Sequence, residues 1–335
     1  MQNNLYTCST SPHIKSNNTT RRIMLDVCIA LTPAAIMGIV YFGLNAFLLI
    51  AISILSALLS ECVYQLIVGK KFKDIVSEFD CSSLVTGILI GLSVGSQTPL
   101  YVPVFANAFA IIVVKMIFGG TGKNLVNPAI AGRIFAFMSF TSVMASGWIV
   151  PSIASIAGGN SINPETGATV LANLFDSEKG GFPTLSNLDL FLGTGLTGCI
   201  GETCKAALLL GAIYLALKRV INVIYPIITV AVVGLFTVCI CGFDFSYFLP
   251  SILSGGLILC AFFMATDYTT TPNTTIGNVI YFTALGLVMA GLRVATSMET
   301  ASFAILLMNL FVPLIDKFVI NRPFGYKKQK KAKGV

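Results

Sequence analysis

From residue 22 onward the chain is a succession of apolar runs, most of them long enough to cross the hydrocarbon core of a bilayer as a helix, separated by short polar breaks. The runs are continuous and do not alternate with period two, so they predict helices and exclude a β-barrel. About ten are present, at residues 22–43, 45–68, 81–97, 101–118, 129–145, 204–218, 221–242, 247–265, 276–295 and 300–318. The third, fifth and sixth are short enough to be broken or re-entrant. The predicted class is an all-α polytopic membrane protein.

Composition supports this. Of 335 residues, 55% are hydrophobic and only 10% charged, with a mean hydropathy of +0.86. Such a chain cannot furnish the surface of a soluble enzyme. No stretch between spans can bury a core of its own. The expected organisation is a polar tail at 1–21, a first membrane repeat at 22–145, a polar loop at 146–203, a second membrane repeat at 204–320 and a basic tail at 321–335. The opening MQNNLYTCSTSPHIKSNNTTRR lacks the small-residue cleavage site of a secretory signal and is read as retained.

Charge supplies the orientation. Lys15, Arg21 and Arg22 precede the first span, Lys70, Lys71 and Lys73 follow the second, Lys123 follows the fourth, and Lys218 and Arg219 end the sixth. Lys317, Arg322, Lys327, Lys328, Lys330, Lys331 and Lys333 follow the last. With alternating spans all of these fall on one side, which the positive-inside rule makes the cytoplasm, so both termini are expected inside. Lys205 is a minor exception. The net charge of +7 suits tails beside an anionic lipid leaflet and calls for no nucleic-acid partner. The loop at 146–203 is then extracytoplasmic, and its charges are mostly acidic: Glu165, Asp176, Glu178, Asp189 and Glu202 against Lys179.

Two familiar patterns fail on context. GTGLTG (193–198) matches the dinucleotide fingerprint, which needs a strand, a turn and a helix of a soluble unit. GGTGKN (119–124) contains Gly-Lys, but Ile117 stands at the first P-loop glycine and Asn124 at the magnesium-binding hydroxyl. His13 is the only histidine, which excludes a bis-histidine haem, and no set of four clustered cysteines suggests an iron–sulfur centre. Cys28, Cys62, Cys239, Cys241 and Cys260 read as small apolar packing residues; Cys199 and Cys204 stand close enough in sequence for pairing or for free thiols.

Charges within or at the edge of spans are functional candidates. They are Asp26, Glu61, Lys115, Arg133, Asp267 and Arg293. For Asp26, Lys115, Asp267 and Arg293, which lie near helix ends, capping or snorkelling weighs about as much as a functional role; Glu61 and Arg133 are the stronger functional candidates. Gly87, Gly91 and Gly95 recur every four residues, a stripe that predicts close helix packing. SLVTGILIGLSVGSQTP (83–99) echoes SGGLILCAFFMATDYTTTP (254–272), each a glycine-containing apolar run ending in Thr-Pro, as in proteins of two repeats with a site at their junction.

In the polar loop, TGAT joins Thr166, Gly167, Ala168 and Thr169, an unhindered hydroxyl flanked by small residues that a second enzyme can esterify. TGAT, SPHIKS (11–16), GGTGKNLVNPAIAGR (119–133), GCIGET (198–203), MATDYTTTP (264–272) and ASFAILLMNLFVPLID (301–316) occur in an order that resembles the RnfD family, the D component of the Rnf complex. That family is related to NqrB, the B component of the sodium-translocating NADH:quinone oxidoreductase. The resemblance covers nearly the whole chain, and the short N-terminal tail favours the Rnf branch.

The resemblance implies two inverted five-helix repeats similar to urea transporters. It implies a covalent FMN, held by a phosphoester to Thr169 and installed by an extracytoplasmic flavin transferase, with a second, noncovalent flavin as a further possibility. Transferase targets commonly have Asp where this chain has Asn163, with Glu165 nearby. Asn124, Asn127, Asp267 and Thr270 are the implied polar groups of a central pocket. No residue is implied to be catalytic by itself. The implied activity is that of one member of a ferredoxin:NAD+ oxidoreductase, relaying electrons with the other Rnf complex subunits, its A, B, C, E and G components, while the complex exports Na+ or H+. The competing reading is a urea-transporter-like solute channel in which TGAT is only a turn.

Overall fold

The structure, a computed structural model, describes residues 19–77, 79–145, 186–194, 197–296 and 299–320. The regular elements among them are helices, with no strand. α1 (Thr20–Phe42) and α2 (Leu44–Ile67) form a long antiparallel pair. A short α3 (Phe72–Ser77) leads to α4 (Ser82–Leu92). Next comes α5 (Tyr101–Ala108), continued by a π-helix at Phe109–Met116. α6 (Pro128–Ser139) and α7 (Thr141–Ala145) end the first half. After α8 (Asn187–Leu192) come α9 (Lys205–Leu217) and α10 (Ile224–Ile240). A 3-10 turn (Phe245–Tyr247) opens into α11 (Phe248–Leu253), followed by α12 (Leu257–Leu259) with a π-helical turn at Cys260–Met264. α13 (Thr275–Thr296) and α14 (Ala301–Phe318) complete the chain.

Four of these, α1, α2, α13 and α14, are long and apolar enough to cross a membrane, and a fifth span results if the α11 and α12 segments, bent by 68°, count as one. The protein is therefore a multi-pass membrane protein. The expected spans at 81–97, 101–118, 129–145, 204–218 and 221–242 coincide with apolar helices of 10–17 residues. They are shorter than predicted because apolar composition continues past the point where the helix stops. α4 ends at Leu92, although the apolar run continues to residue 97.

The helix starts and stops have local causes. The Thr19 hydroxyl accepts from the Arg22 N–H and caps α1. Gly43, at φ 69°, makes the single-residue turn between α1 and α2, a backbone state that glycine adopts without a Cβ penalty. Gly87 and Gly91 lie against α2 so closely that a Cβ on either would meet the Ile54 or Ile50 Cα at 2.9 or 3.1 Å. The Ser53 hydroxyl donates to the Gly87 carbonyl at 2.7 Å across this contact and accepts from Asn107 Nδ2 at 2.9 Å. The small-residue stripe is thus a packing face, though Gly95 falls beyond the end of α4 and does not share in it.

α1, α6, α10 and α13 begin at the same end of the bundle, here called proximal; α2, α9, α12 and α14 finish there. The α7 and α8 segments lie at the opposite, distal end, as the Tyr41 hydroxyl donating to the Leu192 carbonyl at 2.8 Å shows. The termini of α4 and α11 point into the bundle. The carbonyls left free where α4 stops are met by loop residues: Ile200 N–H donates to the Val94 carbonyl at 3.0 Å and Gly201 N–H to the Leu92 carbonyl at 2.8 Å.

Candidate functional site

At the proximal end the loops 119–127 and 264–271 meet. Asn127 caps α6, its Oδ1 accepting from the Ala129 N–H at 2.9 Å, and Pro128 occupies the first helical position, where its missing N–H costs nothing. Its Nδ2 donates to the Met264 carbonyl at 3.0 Å, so one side chain joins the two halves of the chain. With its amide set so that both ends are matched, Asn309 on α14 accepts from the Asn127 N–H at 3.2 Å and donates to the Tyr281 hydroxyl at 2.7 Å.

Between these loops lies a cleft of about 80 Å³. Asn124, Asn127 and Asp267 line it, together with Thr86, Lys115 and apolar walls that include Val85, Leu89, Phe262 and Phe263. Asp267, in the loop between α12 and α13, accepts from the Thr269 N–H at 3.2 Å and the Thr269 hydroxyl at 3.0 Å. Burial pushes its carboxyl above the usual value, and these two hydrogen bonds offset that only in part. Thr270 is buried, but it does not line the cleft. Asn124 Oδ1 and Thr270 Oγ1 are buried and, among the described residues, have no hydrogen-bond partner, so both keep hydrogen-bonding capacity to spare. The structure thus brings Asn124, Asn127 and Asp267 together and sets Thr270 behind them. Thr166, Gly167, Ala168 and Thr169 lie outside the described residues, as do Asn163 and Glu165.

Polar acceptors on apolar walls suit one edge of a planar heterocycle that carries an N–H donor.

Beside this cleft the Lys115 ammonium, on the π-helix, contacts Glu61 Oε1 at 2.8 Å and the Ser83 hydroxyl at 2.9 Å, with Asp80 Oδ1 at 3.8 Å. Asp80 lies before the start of α4. Burial alone would raise its carboxyl; the Lys115 ammonium and hydrogen bonds from Thr121 and Ser82 outweigh that and hold it below the usual range. Of the readings its place in the span allowed, snorkelling does not hold for Lys115: only 2% of its side chain is exposed. Arg293 is likewise buried, bonded to Glu299 Oε2 at 2.7 Å and the Ser251 carbonyl at 3.0 Å. Asp26 is held by the Tyr214 hydroxyl at 2.9 Å.

Deeper toward the distal end, Arg133 extends from the middle of α6 between two thiols, Cys260 at 3.8 Å and Cys199 at 3.7 Å. Cys199 and Cys204 are both free, which decides the question that their spacing left open. In sequence, Glu202 and Lys205 stand at a loop boundary and Glu299 has no motif around it. The fold buries the first two and brings all three to the bend between α11 and α12. The one signal is in GCIGET, where a Gly-rich turn carries an acid beside a membrane run.

The sequence profile described as the NQR2, RnfD, RnfE family matches residues 7–325. The chain is 38% identical over 327 residues to the D component of the Na(+)-translocating ferredoxin:NAD(+) oxidoreductase complex of Acetobacterium woodii, covering 97% of both chains. It is 32% identical over 337 residues to the D component of the proton-translocating ferredoxin:NAD(+) oxidoreductase complex of Clostridium ljungdahlii, covering 98% of both. With the D component of the ion-translocating oxidoreductase complex of Stutzerimonas stutzeri it shares 31% over 328 residues, covering 91% of this chain and 92% of that one.

Proposed function

The chain belongs to the NQR2, RnfD, RnfE family, and from that membership we propose that it is the D component of an ion-translocating ferredoxin:NAD+ oxidoreductase complex of the Rnf type. The observation that carries this reading is end-to-end similarity to relatives that bear that name. The protein is one part of a translocase and has no complete activity alone. It works in the bacterial cytoplasmic membrane with the A, B, C, E and G components of the complex and with surrounding lipid.

In this reading the long helices, the bent pair and the five shorter apolar helices together make ten spans in two inverted repeats. The bend between α11 and α12, and the break after α4, are the kind of interruption that such repeats place at a central site. The proximal end, which carries Lys70, Lys71, Lys218 and Arg219, faces the cytoplasm with both termini, and the distal end faces out.

Thr169 in the exported loop carries FMN through a phosphoester made by a flavin transferase. A second, noncovalent flavin uses the proximal cleft, with Asn124 and Asp267 as acceptors for its ring N–H; the orphaned Asn124 Oδ1 supports that assignment. Flavin supplies one- and two-electron chemistry when bound. The chain's own task is to hold each ring at a fixed depth, exclude water and set the local charge. Asn127 keeps the two cleft-forming loops in register through Met264.

The test is mass spectrometry of the intact complex produced together with its transferase. A tryptic peptide spanning Thr169 with the added mass of FMN, absent from the Thr169→Val complex, supports the redox role over a solute channel. An unmodified Thr169 and no yellow fluorescent band after denaturation would overturn it.

A further inference from the structure

Lys115 and Thr121 line the proximal cleft and also a second, larger cavity of about 350 Å³ between the C-terminal end of α2, the end of the π-helix and the loop that follows it. Glu61 and Gln65, one turn apart on the same face of α2, line this second cavity together with Lys70 and Asp80. Lys115 directs its ammonium at Glu61 Oε1, the Ser83 hydroxyl and Asp80, and Gln65 Nε2 donates to the same Glu61 Oε1 at 3.5 Å. Glu61 Oε2 and Gln65 Oε1 are buried and, among the described residues, have no hydrogen-bond partner. Two neighbouring acceptors on one wall thus lack a donor, although Glu61 as a whole is only 6% exposed.

The inner wall carries two carboxylates, Glu61 and Asp80, against the one ammonium of Lys115, so it favours a further positive charge. A bare metal ion would need a shell of about six oxygens, and among the described residues no group of three or more acidic, His or Cys side chains can form one. The mouth has a different character. Lys70 is exposed there, and the Lys123 side chain lies over Gly119, where an added Cβ would come within 2.9 Å of its Cδ. Ile67, Val68, Ile117 and Phe118 are exposed where α2 and the π-helix end. Apolar side chains beside lysines at the end of a spanning helix mark the headgroup level of a bilayer.

The occupant must therefore be cationic and rich in N–H donors at its inner end, and anionic where it meets the lysines. A primary ammonium has three donors. A trimethylammonium has the charge but no N–H, a glycerol headgroup has no positive charge, and a serine headgroup would bring its carboxylate against Glu61. We propose that this cavity seats the headgroup of a phospholipid that ends in a primary ammonium, its N–H groups donating to Glu61 Oε2 and Gln65 Oε1 and its phosphate lying at the mouth beside Lys70 and Lys123. The acyl chains then run along the exposed apolar face at the end of α2. The ammonium balances the negative charge that Lys115 leaves over, and the phosphate interacts with the basic rim as lipid phosphates do at such clusters.

The test places the intact complex in phosphatidylglycerol nanodiscs with a trace of phosphatidylethanolamine that carries a photoreactive diazirine on its acyl chain near the glycerol. After irradiation, peptide mapping should find the label at the end of α2 and in the loop that follows the π-helix. Unlabelled phosphatidylethanolamine should compete about tenfold better than phosphatidylcholine, the worth of one charge-assisted hydrogen bond. Gln65→Leu, which leaves the Glu61–Lys115 pair intact, should cut that preference to about threefold or less. Gln65→Lys, which brings an ammonium of its own to Glu61, should abolish the labelling. Equal competition by the two lipids, label confined to other segments, or unchanged preference in Gln65→Leu overturns the proposal. Displacement by sodium chloride but not by choline chloride would make the occupant a metal ion, and displacement by free phosphoethanolamine at the lipid's own concentration would make it a soluble amine; either result overturns the lipid assignment. Should the Gln65 variants fail to accumulate, the comparison of the two lipids on the wild-type complex decides alone.

Discussion

Lys115 Nζ lies 2.8 Å from Glu61 Oε1, and only 2% and 8% of the two side chains are exposed. The pair ties the π-helical end of α5 to α2 and borders the cleft at Lys115. Removing one charge leaves the other buried without compensation, whereas removing both avoids the desolvation cost of each.

Lys115→Met should therefore destabilise the protein by about 3–5 kcal/mol. The double variant Glu61→Leu with Lys115→Met should recover most of that loss. Thermal unfolding of the purified complex in detergent measures both. Equal losses in the single and double variants would show that the pair is not the cause.

Asn127→Ala removes an N-cap and leaves the buried Met264 carbonyl without its donor. The cap is worth about 1 kcal/mol and the orphaned carbonyl about 1–3 kcal/mol. The melting temperature should fall accordingly, and noncovalent flavin recovered from the complex should fall with it. Asn127→Asp, which keeps the cap acceptor but loses the donor, should lie between. A wild-type flavin yield in Asn127→Ala would separate the cleft from flavin binding.

Asp267 gives a pH signature with a defined sign. Burial raises its carboxyl in the folded protein, so the native state holds the proton at pH values where the unfolded chain has released it. The resulting stabilisation is complete below the ordinary carboxylate value of about 3.9 and is lost as pH rises through the raised folded value. Asp267→Asn should flatten this part of the stability profile, above the ordinary carboxylate value. Melting temperatures of the two proteins across that window check it; parallel curves would refute it.

Asn163 stands where flavin-transferase targets of this type commonly have aspartate. Asn163→Asp should raise the fraction of Thr169 that carries FMN, read by the mass of the peptide or by fluorescence of the denatured band. Thr169→Val in the same background should abolish the signal. An unchanged fraction would mean that Glu165 or the rest of the motif suffices.

Much of the fold was legible because a bilayer imposes a length scale. Apolar runs such as 22–43, 45–68 and 276–295 needed only that scale to be placed, and α1, α2 and α13 coincide with them to within a few residues. The interrupted segments were less legible. An apolar run does not reveal where the helix inside it stops, and α4 stops at Leu92 because loop residues such as Ile200 and Gly201, distant in sequence, supply the hydrogen bonds that allow it. In the site, Asn124, Asn127 and Asp267 stand out by their motifs, and they line one cleft. Glu202, Lys205 and Glu299 do not, since each looks like an ordinary loop or boundary charge until the bend at Gly255 and Gly256 gathers them.

By itself, the sequence determined that this is a multi-pass helical membrane protein of the NQR2, RnfD, RnfE family, because hydropathy and motif order are properties of the chain read in one dimension. Which charges face each other was decided only by the tertiary structure. Glu61 and Lys115 are 54 residues apart, and Arg133 reaches Cys199 and Cys260 across 66 and 127. Inside a membrane protein a charge is tolerated only where packing brings it a partner. Partners so far apart are chosen by the way helices stop, bend and return, and no local pattern records that choice.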